Sequence, residues 1–264
     1  MSPTLKIPSS VTFVRHGESA YNALAKQKFS EPDFQKLVIA YDKSMTSRRT
    51  RDLAKRVMEK LKAPWGDHDT PLTEHGKGQS IETGSELALN IPRPDVILCS
   101  PYLRTRDTLT HLVHGWALTG DTEIFEVEVV YENLLREQNY GVGILYNDWR
   151  VFQALNPEQK RLRDIKTPYW YQYPQGESIA DVVDRMRAFH DSILSKYARK
   201  NVLIVSHHRT ILAYAAQQKK MQSDEVLKLD DTEKPINCGV TMFQRKNFDL
   251  ALTCYNKRLW EKSE

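Results

Sequence analysis

Three short polar clusters in this chain hold residue types suited to handling a phosphate: Arg15-His16-Gly17, the run from Ser100 to Arg104, and Ser206-His207-His208. An ionised phosphate needs positive donors around its oxygens. Arg15 and Arg104 offer two guanidinium forks that stay charged and match phosphate geometry. Gly17 lacks a Cβ and allows close backbone approach, and a helix starting beside it points free N–H groups at the same place. A neutral imidazole nitrogen, such as that of His16, can attack phosphorus and carry the phosphoryl group covalently, provided a cationic shell offsets the developing charge. The leaving alkoxide then needs a proton, which a carboxylic acid held neutral by its surroundings can give; Glu137 is placed for that. Singly these residues say little. Arg-His-Gly arises by chance, Arg104 alone reads as a solvated helix residue, and Glu137 alone reads as a surface acid. The weight lies in their joint order along the chain.

The elements that must position them follow from hydrophobic patterning. Val11-Thr12-Phe13-Val14, Val96-Ile97-Leu98-Cys99 and Val202-Leu203-Ile204-Val205 read as buried strands, and each runs directly into one of the three clusters. Residues 124–131 alternate and are β-branched, which predicts a further strand shortly before Glu137. Helices are expected at 18–28, as a pair within 31–62 joined by a basic connection, at 73–89, from 101 through 112, and over about five turns from 182 to 197. Ser178-Ile179-Ala180-Asp181 resembles a capping box ahead of the last of these. Residues 138–175 read as irregular and rich in aromatics. The end of the chain, 240–243 and 250–255, predicts a closing hairpin. Strands apolar throughout and alternating with long helices imply a sheet covered on both faces. Ligands of such sheets bind beyond the carboxyl ends of the strands, where all three clusters fall.

Composition sets the outer bounds. The chain has 264 residues, 40% hydrophobic and 27% charged, values of a folded globular protein. No apolar run is long enough to span a bilayer, and the N-terminus lacks a basic region followed by an apolar stretch. Cys99, Cys238 and Cys254 are odd in number and scattered, which argues against a disulfide framework or zinc site and for a reducing, cytoplasmic setting. The net charge of +4 does not indicate a nucleic-acid binder. The charge is uneven, however. Residues 43–62 hold eight basic against two acidic residues, a net of +6 that leaves about −2 for the rest.

Beyond the clusters, the segments match a known order. The run Val11-Thr12-Phe13-Val14-Arg15-His16-Gly17-Glu18-Ser19-Ala20-Tyr21-Asn22 resembles the signature of the histidine phosphatase superfamily, in its phosphoglycerate-mutase-like branch. So do Pro71-Leu72-Thr73-Glu74-His75-Gly76 with Gln79, the run from Cys99 to Thr108, Leu135-Arg136-Glu137-Gln138-Asn139-Tyr140-Gly141, the run from Tyr173 to Ser178, and Val205-Ser206-His207. The resemblance implies a three-layer α/β/α sandwich around a mostly parallel sheet, as one domain over residues 1–264 with a helical, basic insertion at about 23–68. It implies His16 as nucleophile, Arg15, Asn22, Arg104 and His207 around the phosphate, and Glu137 as the acid and then the base, with no metal or other cofactor. Two departures stand against a mutase. His207 is followed by His208-Arg209 where mutases have Gly-Asn, and the basic positions of the phosphoglycerate clamp align with Asp148 and Asp164-Ile165. Residues 170–182 and Pro235-Ile236-Asn237-Cys238 are more similar to the subgroup that includes fungal broad-range acid phosphatases.

The expected function is a metal-independent phosphomonoesterase acting on small phosphorylated metabolites, nucleotides among them, with a phosphoglycerate-type phosphomutase as the alternative. Further substrate contacts are expected from Ser19, Tyr140, His208 and Arg209, although the last two could equally cap the following helix. About 48 residues separate Asn22 from Pro71. Their Arg48, Arg49 and Arg51 suit a second phosphate or a polyanion, and equally a solvated helical face. They also leave open a protein of another class, a polyanion or nucleic-acid binder. The expected partner is a small phosphorylated substrate, with a homo-oligomer compatible and neither membrane nor nucleic acid indicated.

Overall fold

The computed structural model describes residues 7–247 and 249–260; residues 1–6, read above for a leader, lie outside the described residues. The elements are β1 (Ser10–Arg15), α1 (Ala20–Gln27), α2 (Pro32–Lys43), α3 (Arg48–Lys60), α4 (Glu74–Asn90), β2 (Val96–Cys99), α5 (Leu103–Ala117), β3 (Val129–Tyr131), α6 (Trp149–Leu155), α7 (Pro157–Trp170), α8 (Ile179–Ser192), β4 (Asn201–Ser206), α9 (His208–Lys219), α10 (Ser223–Thr232), β5 (Val240–Lys246) and β6 (Asp249–Lys257). They divide into two units. One holds residues 1–19, 68–137 and 181–264, and the other holds 20–67 and 138–180.

The first unit carries the whole sheet, in the order β3-β2-β4-β1-β5-β6. The pairs β1–β4, β2–β4 and β2–β3 are parallel, whereas β5 is antiparallel to both β1 and β6. Successive strand side chains point to opposite faces. Because Val202 to Ser206 are all buried, both faces must be covered. On one face Val14, Ile97, Cys99, Leu203 and Val205 pack with Leu87 of α4 and with Leu109, Leu112 and Trp116 of α5. On the other, the Phe13 ring lies 4.8 Å from that of Tyr214 in α9, which in turn meets Phe189 of α8. The expected three layers therefore form around a mostly parallel sheet. Register levels the strand ends: Arg15 pairs with Ser206, and Cys99 with Val205. His16, Ser100 and His207 consequently leave three neighbouring strands at one height.

The second unit is helical. Phe34, Leu37 and Ala40 of α2, Leu53, Ala54 and Val57 of α3, and Val151 and Ala154 of α6 share its core. Glu31 accepts from the Asp33 amide ahead of Pro32, and Ser47 Oγ accepts from the Thr50 amide, so each helix of the expected pair starts at a cap.

Five expectations change. The connection between α2 and α3 holds no basic residue; Arg48, Arg49 and Arg51 lie on the first turns of α3. Residues 138–175 are not irregular throughout but contain α6 and α7, started by Asp148, whose side chain accepts from the Arg150 amide, and by Pro157. Aromatic density hid that helical start chemistry. The strand expected over 124–131 is only Val129–Tyr131, because residues 122–126 form a 3-10 turn that buries Ile124. The helix expected to stop near 112 runs to Ala117, where Trp116 is fully buried. The helix expected to reach 197 stops at Ser192, with a short 3-10 turn at Leu194–Tyr197.

Candidate active site

The site begins where β1 runs out. His16 N–H continues the ladder to the Ser206 carbonyl, and Cys238 N–H returns to the Arg15 carbonyl. The Gly17 amide donates to Thr108 Oγ1 at 2.9 Å, and that hydroxyl donates to the Arg104 carbonyl at 2.6 Å. The turn is thus tied to the first turn of α5, which carries Arg104. Crossing it is the start of α4, where Thr73 caps the Gly76 amide. A Cβ on Gly17 would lie 2.4 Å from the Gly76 carbonyl oxygen, and one on Gly76 only 2.1 Å from the Glu18 carbonyl oxygen. Two glycines are required because two backbones touch there.

His16 is buried, and its Nδ1 lies 2.8 Å from the Gly17 carbonyl oxygen. A carbonyl only accepts, so Nδ1 carries the proton and Nε2 of the neutral ring keeps the lone pair. Burial holds the His16 pKa well below its ordinary value, and the charges of Arg104 and Arg15 push it further down. His207 lies beside it, ring centroids 5.3 Å apart, and is lowered in the same way by burial, Arg104, His16 and Arg15. Its Nε2 is 2.8 Å from Ser100 Oγ, while Nδ1 is buried without a hydrogen-bond partner. If Ser100 donates, Nδ1 becomes an N–H donor. Arg104 is buried with its guanidinium over the Tyr102 ring, and Arg15 Nη1 donates to the Pro235 carbonyl at 2.6 Å. Two neutral imidazoles among guanidiniums form a place where an anion relieves electrostatic strain.

Glu137 sits on a loop stitched down from three sides. Ser206 Oγ donates to the Leu135 carbonyl, Thr210 Oγ1 donates to that of Arg136, and Arg185 Nη1 donates to those of Leu134 and Arg136 at 2.6 and 2.9 Å. The Arg209 amide donates to Glu137 Oε1 at 3.1 Å, placing the carboxylate at the start of α9. His208 and Arg209, left open between leaving group and helix cap, occupy that same first turn. Both side chains are tied to Asp230 of α10, each at 2.7 Å. Ser19 is buried, on a bridge to Leu72.

The first unit therefore brings together Arg15, His16, Arg104, Glu137, His207, His208 and Arg209, and carries Ser19. Asn22, Tyr140, Arg48, Arg49 and Arg51 belong to the second unit. Asn22 is on α1, and the Tyr140 ring meets that of Tyr173 at 6.0 Å. Arg48 and Arg49 are exposed and, with Lys36, Asp52, Leu53 and Arg56, line an open cleft of about 480 Å³; Arg51 is exposed outside it. Arg185 and Asp230 were not singled out in the sequence, and Asn237 was noted only within the resembling segment Pro235-Ile236-Asn237-Cys238. Arg185 had a signal, a charge on the stripe formed by Val182, Met186 and Phe189. Asn237 donates from Nδ2 to the His16 carbonyl, a role its segment alone did not assign, and Asp230 had no signal.

Comparison with known proteins agrees with this geometry. The family model of the histidine phosphatase superfamily, branch 1, matches residues 46–257. That span starts after Arg15-His16, which the sheet register places instead. The chain is 25% identical over 245 residues to a phosphoglycerate mutase-like protein of Arabidopsis thaliana, AT74H, covering 85% of this chain and 71% of that one. It is 30% identical over 198 residues to a 2,3-bisphosphoglycerate-dependent phosphoglycerate mutase of Rhizobium etli, covering 72% of this chain and 90% of the relative. The alpha-ribazole phosphatase structure from Shigella flexneri shares the fold with a TM-score of 0.65 at 18% identity, over 94% of this chain and 96% of that one. Among the described residues, no helix is long and apolar enough to cross a membrane. With four-fifths of the chain inside the family match and the sheet carrying the motif order at its strand ends, the chain belongs to the histidine phosphatase superfamily and is a phosphatase-family enzyme.

Proposed function

We propose that the protein is a phosphomonoesterase that works through a phosphohistidine on small phosphorylated metabolites, without a metal. The observation that carries this is the His16 ring, with Nδ1 committed to the Gly17 carbonyl and the Nε2 lone pair held uncharged among Arg15, Arg104 and His207. Nε2 attacks phosphorus as the ester P–O bond breaks, and the two guanidiniums meet the charge that develops on the phosphoryl oxygens. The Glu137 carboxyl gives its proton to the departing alkoxide. Water then attacks the phosphohistidine, the P–N bond breaks, and Glu137 takes the water proton, so the enzyme returns to its starting state. Asn22 is proposed as a further phosphate ligand, and Ser19, Tyr140, His208, Arg209, Arg48, Arg49 and Arg51 as substrate contacts.

A mutase reading is favoured by the names of the sequence relatives. The positions that would clamp a phosphoglycerate carboxylate weigh against it. Asp148 is buried in an ion pair with Lys28 at 2.7 Å, and Asp164 pairs with Lys160. Acidic residues at these positions supply no cation for a substrate carboxylate. The deciding experiment is a phosphate-release panel in EDTA with nitrophenyl phosphate, nucleoside monophosphates, sugar phosphates and both phosphoglycerates. His16→Ala should abolish release. Glu137→Gln should slow alkyl phosphates far more than nitrophenyl phosphate, whose leaving group barely needs a proton. Interconversion of the phosphoglycerates without release would overturn the phosphatase reading in favour of a mutase.

A further inference from the structure

The His208–Asp230 pair is the most fully built polar feature that phosphate binding leaves unused. Asp230 reaches from α10 to the first turn of α9, where its Oδ1 accepts from His208 Nε2 and its Oδ2 forms an ion pair with Arg209 Nη1, both at 2.7 Å. Burial alone would raise the pKa of this carboxyl, but the His208 hydrogen bond and the Arg209 charge outweigh it and lower it to about 2, so Asp230 is ionised. Nε2 of His208 therefore carries the ring proton, and Nδ1 presents a lone pair that has no partner among the described residues. Burial first, then the neighbouring Arg209 and Arg15 charges, hold the ring uncharged with a pKa of about 3. His208 is flanked by His207, whose ring lies 5.3 Å from that of His16, and by Arg209, whose amide donates to Glu137 Oε1 at 3.1 Å, so it stands at the rim of the same site.

That rim nitrogen has the wrong polarity for a phosphate. Arg15 and Arg104 supply the donors and positive charge that phosphate oxygens want. A lone-pair acceptor offers those oxygens only repulsion. The other half of a phosphate ester can carry what it needs.

We propose that His208, oriented by Asp230, is a specificity-determining residue that accepts a hydrogen bond from a hydroxyl or ammonium group on the alcohol side of the substrate. This rests on the phosphomonoesterase reading above and adds a substrate class to it: esters whose leaving alcohol bears a further donor close to the phosphate, such as phosphorylated polyols, sugars or amino alcohols. Asp230 is the positioning residue. Holding Nε2–H fixes which ring nitrogen is the acceptor.

The test is calorimetric titration with two phosphonates that cannot be hydrolysed, 3,4-dihydroxybutyl phosphonate and butyl phosphonate, which differ only in donors on the alcohol side. The protein should bind the dihydroxy compound about fivefold more tightly, the value of one net hydrogen bond. His208→Ala should erase that preference while butyl phosphonate binding changes little. Asp230→Asn keeps the ring and the packing but offers an amide donor to Nε2, which moves the ring proton to Nδ1; the preference should vanish there too. Equal affinity of the parent for both ligands, with phosphate release intact in the panel above, overturns this inference alone. A preference that survives both substitutions, or a uniform loss for both ligands, overturns it as well. Absence of binding together with absence of release removes the phosphatase reading and this inference with it.

Discussion

Replacing Arg185 by methionine isolates the contribution of the loop that carries Glu137. The arginine is buried on α8 and donates to the Leu134 and Arg136 carbonyls at 2.6 and 2.9 Å, with a weaker approach to the Glu137 carbonyl at 3.5 Å. Methionine matches the aliphatic stem, so packing is largely kept; the Leu134 and Arg136 carbonyls lose the guanidinium, and that of Arg136 keeps Thr210 Oγ1. Two charge-assisted bonds in a partly buried setting are worth about 1.5 kcal/mol or more each, giving a loss of about 3 kcal/mol. For a chain of this size that corresponds to a fall in Tm of roughly 6–12 °C, read by scanning calorimetry. The same loop positions the carboxylate at the α9 amide, so turnover of alkyl phosphates should fall more than that of nitrophenyl phosphate. A Tm within about 2 °C of the parent, at the low end of what a single kilocalorie shifts, would refute the energetic assignment. Equal activity losses on both substrate types would refute the link to Glu137.

Gly17→Ala puts a Cβ 2.4 Å from the Gly76 carbonyl oxygen and 2.9 Å from Ser80 Oγ, so the turn must move. We expect a loss of about 2 kcal/mol in urea denaturation and a weaker affinity for inorganic phosphate; parent-like values of both would contradict the close-crossing account. His16, His207 and His208 all have folded pKa values below the unfolded value of about 6.5, so the unfolded chain binds more protons in mild acid. The stability they contribute is present above that value and is lost as pH falls below it, by roughly 1.4 kcal/mol per histidine between pH 7.5 and 5.5. A Tm that stays level across that window would show that these rings do not remain neutral. Replacing Arg48, Arg49 and Arg51 with alanine should raise KM for polyphosphorylated more than for monophosphorylated substrates; an unchanged KM for both would leave these arginines as a solvated helical face.

The strands were legible because a strand buried on both faces leaves a mark that few other segments share: Val96 to Cys99 and Val202 to Val205 are apolar throughout. The helix expected from residue 73 was legible because the capping chemistry at its start is local. Where a neighbour decided the outcome, the sequence misled. The residues before β3 alternate like a strand yet form a 3-10 turn because Ile124 is drawn into the core beside Trp116 and Leu112. In residues 138–175, aromatic side chains that fill the space around α6 and α7 masked the short helices themselves.

By itself the sequence determined the fold class, the three strand ends and the residue types Arg15, His16, Arg104, Glu137 and His207, since hydrophobic periodicity and residue chemistry are properties of short segments. Only the tertiary structure decided which imidazole nitrogen of His16 is free, that Arg185 holds the acid loop, and that Asp230 turns His208 into an acceptor. Each of these depends on a hydrogen bond between groups whose meeting is set by backbone path and strand register, and no local pattern encodes such a bond.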